Sequence, residues 1–115
     1  RIALKLVERA DVLVENFVPG VMDRLGLGYQ TISKMNPRII YCSISGFGQE
    51  GPYHKRPSFD PVAQAMSGIM LATGEPDRPP VRILPPMLDY SAGIHAAYGI
   101  VIALLNREQT GKGKE

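Results

Sequence analysis

Residues 36–44 read NPRIIYCSI, and residues 11–15, earlier in the chain, read DVLVE. In the later segment Asn36-Pro37 stops a helix, and the apolar run that begins at Ile39 predicts a strand. The earlier segment is a short run of β-branched and apolar residues, which is typical of a buried parallel strand. Because helical patterns flank both runs, the sequence predicts an α/β fold built on a parallel sheet.

The flanking elements are predicted to be helices at 2–10, from Pro19-Gly20 to Leu25, at 29–35, from Pro61 to Gly74, and near 90–107. The fourth helix is amphipathic, and its apolar face carries Val62, Ala65, Met66, Ile69 and Met70. The last helix is apolar most of the way round, which predicts that it is buried.

The composition excludes several classes of protein. The chain has 115 residues, of which 44% are hydrophobic, and its net charge is only +2, so neither disorder nor a nucleic-acid partner is indicated. A single cysteine, Cys42, excludes a disulfide framework, and no His, Asp or Glu spacing indicates a metal site. The apolar stretch 92–105 is interrupted by His95 and is shorter than the ~20 residues of a membrane span. We therefore expect a soluble, cytoplasmic protein.

Both ends of the chain indicate a larger domain. No initiating Met is present, and residues 110–113, TGKG, are typical of a turn before another strand. Two strands alone do not form a stable open sheet. The expectation is that this chain is one piece of a larger α/β domain.

Residues 46–51, GFGQEG, formally match the G-x-G-x-x-G motif of dinucleotide-binding folds. That motif must run directly into a helix, whereas Gly51 is followed by PYHKRP, which does not start one. A flexible surface loop is the favoured interpretation. The third interpretation is a loop whose glycines leave the backbone bare, so that a ligand can approach it closely.

Two carboxylates precede predicted helices. Asp60 stands directly before Pro61, the expected pair for a helix cap and first turn. Asp89 follows a proline-rich stretch at the mouth of the predicted sheet, where a helix N-terminus stabilises an anion. Such a carboxylate is a competent nucleophile toward an activated carbonyl. The sequence alone does not decide whether Asp89 is a helix cap or a nucleophile.

The other reactive side chains have ordinary interpretations. His95 is expected to be a buried, satisfied histidine, and His54 a solvated residue of a polar loop. Cys42 is expected to be buried and inert. Arg24 is an exposed helix residue whose functional alternative is pairing with a ligand phosphate.

Five segments in order resemble the class III CoA-transferases, the group that holds formyl-CoA transferase, carnitine-CoA transferase and α-methylacyl-CoA racemase. The segments are 14–20 (VENFVPG), 25–29 (LGLGY), 36–49 (NPRIIYCSISGFGQ), 60–68 (DPVAQAMSG) and 88–93 (LDYSAG). Five segments in sequence are far more specific than any single motif, and they cover nearly all of the chain.

The resemblance implies an α/β domain with part of a Rossmann-like open parallel sheet and flanking helices. Residues 1–115 would be an internal fragment of the large CoA-binding domain, without the family's first strand and helix, its small domain or its glycine-rich lid. It also implies an interlocked homodimer. The substrates would be coenzyme A as acyl-CoA and a small carboxylic acid, with no prosthetic group.

The resemblance also assigns site residues. Asp89 matches the catalytic aspartate that attacks the donor thioester, and Asp60 matches an acidic position beside it. Coenzyme A contacts would come from Asn16, Phe17, Val18, Arg24, Pro57, Ser58, Phe59 and Asp60. Pro57 departs from the pattern, because transferases often carry a basic residue there, and Arg56 is the substitute.

Phe59 separates the transferases from the racemases of this group. The racemase branch has a proton-transferring His at this position, and Phe cannot exchange a proton. The pattern therefore favours transfer of coenzyme A to a carboxylate through an aspartyl intermediate. A racemase or epimerase with a different base, and a non-catalytic CoA-binding or dimer-forming piece, stay open as alternatives.

Overall fold

The computed structural model describes residues 2–115. The helices are α1 (Ile2–Val7), α2 (Val21–Arg24), α3 (Tyr29–Met35), α4 (Asp60–Met66), α5 (Ile69–Ala72) and α6 (Met87–Thr110). The strands are β1 (Val12–Glu15) and β2 (Ile40–Ser43).

The two strands form a parallel pair with Val12 opposite Ile40 and Glu15 opposite Ser43. The other edge of β2 begins a third pairing, because Ile40 bridges Lys114 in parallel after α6 ends at Gly111. Gly111 takes a φ of 72°, the left-handed conformation that glycine adopts without strain at a helix end. The predicted α/β fold with a parallel sheet is confirmed.

The hydrophobic core lies on one side of this sheet. Val7, Ile32, Ile39 and Tyr41 are buried together, with Leu13 and other partly buried side chains packed against them. The connection from α3 to β2 is tied to the end of α1 by a side chain outside that core. The Asn36 amide donates to the carbonyl oxygens of Val7 at 3.0 Å and Ala10 at 2.8 Å.

The helix predicted from Pro61 to Gly74 is interrupted. Gly68 has a φ of 83° and separates α4 from α5, because a residue in the left-handed conformation cannot continue a right-handed helix. The apolar face predicted for this helix does not correspond to its buried side. Met66 is exposed, whereas the buried side chains of α4 are Asp60 and Gln64.

α6 is 24 residues long and packs against the rest of the chain chiefly near its ends. Near its C-terminus the buried Arg107 pairs with Asp11 at 2.9 Å and donates to the Arg38 carbonyl at 3.0 Å. The prediction of a buried helix is wrong within residues 2–115. Most of its large apolar side chains are exposed: Tyr90, Ile94, Tyr98, Val101, Ile102 and Leu105.

By length and composition alone, α6 is a helix that could cross a membrane. The expectation from stretch 92–105 missed this because the helix continues well past both ends of that stretch. A core helix of a soluble protein passes the same test, and the Arg107 anchor ties this one to the sheet.

An apolar groove separates β2 from α6. Its volume is about 930 Å³, and Ala96, Gly99 and Ala103 of α6 form one wall while Tyr41 and Cys42 contribute to the other. The Cα radius of gyration is 17.3 Å, whereas a compact domain of this length has about 13 Å. The described residues therefore form an open arrangement, with this groove between the middle of α6 and the sheet.

Replacing Tyr41 with Phe tests the core. The Tyr41 hydroxyl donates to the Leu27 carbonyl at 3.0 Å. Losing this hydrogen bond lowers the free energy of unfolding by about 1 kcal/mol at neutral pH, which urea unfolding measures.

The same variant has a defined pH dependence. Burial, and then the charges of Glu15, Glu115 and Asp23, raises the pKa of Tyr41 to about 12 from the usual 10. Since the unfolded chain ionises first, this contribution to stability is complete below pH 10 and is lost as the pH rises toward 12. The stability difference between Tyr41→Phe and wild type therefore shrinks over that interval. A constant difference would contradict this account.

Candidate functional site

A cavity of about 460 Å³ lies where the carboxyl ends of β1 and β2 meet the N-terminus of α6. In parallel α/β sheets this edge is where ligands bind. Four separate segments line it: Asn16–Pro19 after β1, Ile44–Gly46 after β2, His54 and Arg56–Phe59 before α4, and Leu88, Asp89 and Ala92 of α6, with Ala63 below. Seven of the nine residues that the resemblance assigns to the site line this cavity: Asn16, Phe17, Val18, Pro57, Ser58, Phe59 and Asp89. Arg24 and Asp60 do not line it.

The segment after β1 is held by two hydrogen bonds. The Asn16 side chain donates to the Ile44 carbonyl at 3.0 Å, which joins the segments that follow the two strands. The buried Glu15 carboxylate accepts the Phe17 N–H at 2.7 Å. With the backbone fixed in this way, the side chains of Phe17 and Val18 stay exposed as an apolar wall of the cavity.

Gly46 is needed for a close approach between two walls of the cavity. A Cβ atom at Gly46 would lie 2.1 Å from the Ser58 Cβ, so only a bare backbone fits against this serine. Gly48 and Gly51 have φ values of 79° and 94° and make turns. Among the described residues no helix begins between Gly51 and Asp60, which contradicts the dinucleotide-binding interpretation of this loop.

The loop before α4 brings positive charge to the cavity. Arg56 lines it, and its guanidinium lies 4.4 Å from the centre of the Tyr53 ring, a cation–π contact. His54 lines it too and is half-buried, where the sequence predicted a solvated residue. Its Nδ1 lies 2.6 Å from the Gly51 carbonyl oxygen. Because a carbonyl only accepts, Nδ1 carries the proton and Nε2 is left for other contacts.

Arg24 lies outside the cavity lining, at its rim. It is exposed on α2, and its Nη1 would be 3.6 Å from a Cβ atom built at Gly20. Gly20 follows Pro19, which lines the cavity. The guanidinium therefore folds back toward the segment that holds Phe17 and Val18.

Asp89 is the third residue of α6, and it is exposed on the cavity wall. The helix begins at Met87 rather than at 90, so Asp89 lies inside the first turn and Pro86 occupies the cap position. Within residues 2–115 no hydrogen-bond donor contacts its carboxylate. The cap interpretation of Asp89 is therefore wrong, and the carboxylate is free to meet a ligand.

The sequence predicted that Asp60 caps its own helix, α4, and this prediction is wrong. Phe59 occupies that position and is 75% exposed. The Asp60 carboxylate is buried instead and accepts the Leu88 N–H at 2.8 Å. Asp60 therefore caps α6 across space, one residue before Asp89.

His95 and Cys42 take no part in the cavity. His95 is exposed on α6, contrary to the expectation of burial, and its Nδ1 donates to the Ser91 carbonyl at 2.7 Å. Burial, followed by the charge of Glu15, raises the pKa of the Cys42 thiol. The half-buried thiol thus stays protonated at neutral pH, in line with the predicted inertness.

The sequence profile of CoA-transferase family III matches residues 1–115. The chain belongs to this family. It is 56% identical over 113 residues to an acetyl-CoA:oxalate CoA-transferase of Acetobacter aceti, an alignment that covers 97% of this chain and 29% of that protein. It is 49% identical over 113 residues to a succinyl-CoA:glutarate CoA-transferase of Mus musculus, which covers 98% of this chain and 26% of that protein.

The fold of this family III chain also matches a solved structure. A CAIB/BAIF family protein from Brucella suis superposes with a TM-score of 0.95 at 45% identity, and covers 98% of this chain and 30% of that one. The chain thus spans less than a third of the length of the relatives it matches. The family resemblance carried by the five segments is confirmed.

Sequence reasoning missed two features of the site. His54 was assigned to solvent because a loop of charged residues gives no indication of which way it folds. Gln64 was overlooked, although it is fully buried, because it stands between apolar residues on a helix that was assigned an apolar face. Its spacing of four residues from Asp60 is the signal that places both on one side of α4.

Gly46→Ala tests the close approach at the cavity. The added methyl group must displace Ser58 and with it the Pro57–Phe59 wall, so we expect KM for acyl-CoA to rise about tenfold in the full-length protein. Ser58→Gly removes the opposing Cβ, and the double variant should regain most of the affinity. An unchanged KM in Gly46→Ala would show that this wall does not contact the substrate.

Proposed function

We propose that the full-length protein transfers coenzyme A from an acyl-CoA donor to a small carboxylic acid, with Asp89 as the nucleophile. One observation carries the proposal. The Asp89 carboxylate is exposed and without a hydrogen-bond donor among residues 2–115, in the wall of the cavity that gathers the predicted coenzyme A contacts.

The reaction proceeds by acyl exchange on this carboxylate. An Asp89 oxygen attacks the thioester carbonyl, the C–S bond breaks, and the coenzyme A thiolate leaves with the electron pair. The thiolate attacks the aspartyl carbonyl of the mixed anhydride, which releases the donor acid and leaves an aspartyl-CoA thioester. The acceptor carboxylate then attacks the aspartyl carbonyl of that thioester, the C–S bond breaks, and a second mixed anhydride forms as the thiolate leaves. The thiolate attacks the acceptor acyl carbon of this anhydride, and the C–O bond to Asp89 breaks. Asp89 is regenerated, and no proton is consumed.

The first turn of α6 suits a carboxylate with this task. The positive end of the helix dipole favours the anion that attacks and the oxyanion that follows. The N–H groups of Met87, Leu88 and Tyr90 are bonded to Pro85, Asp60 and Pro86. Among residues 2–115 the Asp89 N–H has no such acceptor, so it is the donor available for the tetrahedral oxyanion.

Coenzyme A is proposed to lie along the segment after β1. The exposed side chains of Phe17 and Val18 match the apolar parts of its pantetheine arm, and Asn16 holds their backbone in place. Arg24 at the rim is proposed to pair with a phosphate. Across the cavity the wall 57–59 encloses the thioester, and Arg56 supplies the cation that Pro57 cannot.

The relatives indicate only the chemical class of the acceptor. Those compared above are named for oxalate and glutarate, both carboxylic acids. Arg56, which is always protonated, lines the cavity and suits a carboxylate that approaches Asp89. We propose a small carboxylic acid as acceptor and leave the choice among such acids to substrate profiling.

Residues 1–115 are proposed as part of a larger CoA-binding domain with a Rossmann-like sheet, in an interlocked homodimer of cytoplasmic location. The open groove beside β2 and the exposed apolar side chains of α6 support the first two statements, since such surfaces are covered in stable proteins. The compartment rests on the lone, protonated Cys42 and the resemblance.

A second candidate is racemisation or epimerisation of an acyl-CoA. Phe59 cannot transfer a proton, but His54 lines the same cavity and has a free Nε2. An imidazole and the Asp89 carboxylate in one cavity are the types of group that exchange an α-proton. The two candidates differ in the bond that breaks, C–S or C–H, and this makes them separable.

Asp89→Asn tests the nucleophile. The purified full-length protein is mixed with acyl-CoA in deuterated buffer and analysed by mass spectrometry. Wild type is expected to carry an acyl or coenzyme A adduct on the peptide that contains Asp89. Asp89→Asn should lose both the adduct and at least about 10³-fold in transfer rate, because an amide is not a nucleophile here.

Asp77→Asn is the matched control, since Asp77 is exposed between α5 and α6 and has a φ of 62° that Asn tolerates. It should retain the adduct and the rate. Deuterium at the α-carbon without an adduct would establish racemisation instead. Coenzyme A binding with neither result would establish a non-catalytic binding role.

Arg24→Ala tests the proposed phosphate contact. Loss of a charge-assisted hydrogen bond should raise KM for acyl-CoA about ten- to a hundredfold and leave kcat unchanged. Lys34→Ala, which removes an exposed cation from α3, is the control. If both variants raise KM equally, the effect is one of general charge and Arg24 has no specific contact.

A further inference from the structure

Residues 81–88, which we call the strap, lead into α6 and include its first two residues. Hydrogen bonds join the strap to α4 and to α5 and the residue that follows it. The Val81 N–H donates to the Met70 carbonyl at 3.1 Å, and the Thr73 hydroxyl donates to the Val81 carbonyl. Beyond Val81, the strap is held by side chains of α4 alone among the residues described.

Gln64 is the centre of that attachment. Its side-chain oxygen accepts the Ile83 N–H at 2.9 Å, and its Nε2 donates to the Ile83 carbonyl at 3.2 Å. The second Nε2 hydrogen goes to the Asp60 carboxylate, whose other oxygen accepts the Leu88 N–H. The sequence of contacts is thus Ile83, Gln64, Asp60 and Leu88, and it ends one residue before Asp89.

This attachment has no substitute within the strap. Pro85 and Pro86 lack an N–H, and the cap position of α6 offers no side-chain hydrogen bond. Gln64 is 0% exposed and Asp60 6% exposed, so water does not replace their bonds. Where α6 begins, and hence where its first turn sits on the cavity wall, is set by these two side chains.

We infer that Gln64 is a positioning residue for the Asp89 carboxylate, and that it acts through Asp60 and Ile83. The inference rests on the proposed role of Asp89. A buried glutamine that only filled space in the core would contact Ile32, Ile39 or their neighbours. Gln64 instead bonds Ile83 directly, before the two prolines, and it bonds Asp60, which accepts the Leu88 N–H after them.

A pair of reciprocal substitutions tests the inference in the full-length protein. Gln64→Glu sets a second carboxylate against Asp60, and Asp60→Asn sets an amide donor against the Gln64 donor or the Leu88 N–H. The double variant Asp60→Asn/Gln64→Glu restores a donor–acceptor pair at unchanged net charge. It also keeps acceptors for the Leu88 and Ile83 N–H groups. The measurements are acyl-enzyme formation by rapid-quench mass spectrometry, kcat and KM.

Each single variant is expected to slow acyl-enzyme formation about 10- to 100-fold, because a displacement of about 1 Å costs that much. KM for acyl-CoA should change by less than about threefold, since the proposed contacts of the pantetheine arm and phosphate, at 16–18 and Arg24, lie on other segments. The double variant should regain at least tenfold over Gln64→Glu, because the two side chains are in direct contact. A slower acyl-enzyme formation at nearly unchanged KM is the result that a merely structural role does not produce.

Gln64→Met repeats the test without an added charge, should Gln64→Glu not fold. Met66→Leu, an exposed position of the same helix, is the control and should behave as wild type. If wild type forms the adduct and the folded Gln64 variants form it as fast, the inference is wrong and the proposed function stands. If wild type forms no adduct while it binds coenzyme A, both are wrong.

Discussion

The parallel pairing of β1 with β2 is the constraint on which the site depends. Parallel strands end at the same edge, so the segments that leave Glu15 and Ser43 must run side by side. The Asn16–Ile44 hydrogen bond fastens them together. The apolar wall of the cavity and the glycine loop that closes on Ser58 both start from this edge, and an antiparallel pairing would send them to opposite ends.

The second wall comes from α6, and its placement is a matter of polar groups rather than of apolar packing. The helix is held near its C-terminus by Arg107 and at its N-terminus by Asp60. Between these points it faces an open groove. Two buried charged attachments on an otherwise loosely packed helix define where its first turn lies, at the cost of desolvating both groups. The position of Asp89 is therefore set by the attachments at the two ends of its helix.

The family assignment gives the open groove a physical meaning. The chain covers less than a third of its relatives, and its radius of gyration exceeds that of a closed domain. The exposed apolar side chains of α6 and the groove beside β2 are the surfaces that the proposed larger domain and homodimer would cover. Most of the coenzyme A contacts proposed from the resemblance nevertheless line the cavity within these residues. They do so because they lie on the segments that follow β1 and β2, and these segments leave the sheet at the same edge.

Local patterning by itself determined the strands, the breaks at Pro37 and Gly111, and, through five ordered segments, the family. These features depend on residues close in the chain, whose propensities are legible without a partner. Tertiary structure alone decided what the polar residues of α4 do. The sequence places Asp60 beside Pro61 and predicts a local cap, yet its carboxylate binds Leu88, 28 residues away. A hydrogen bond between distant segments has no signature in either one, because its geometry exists only after the chain has folded.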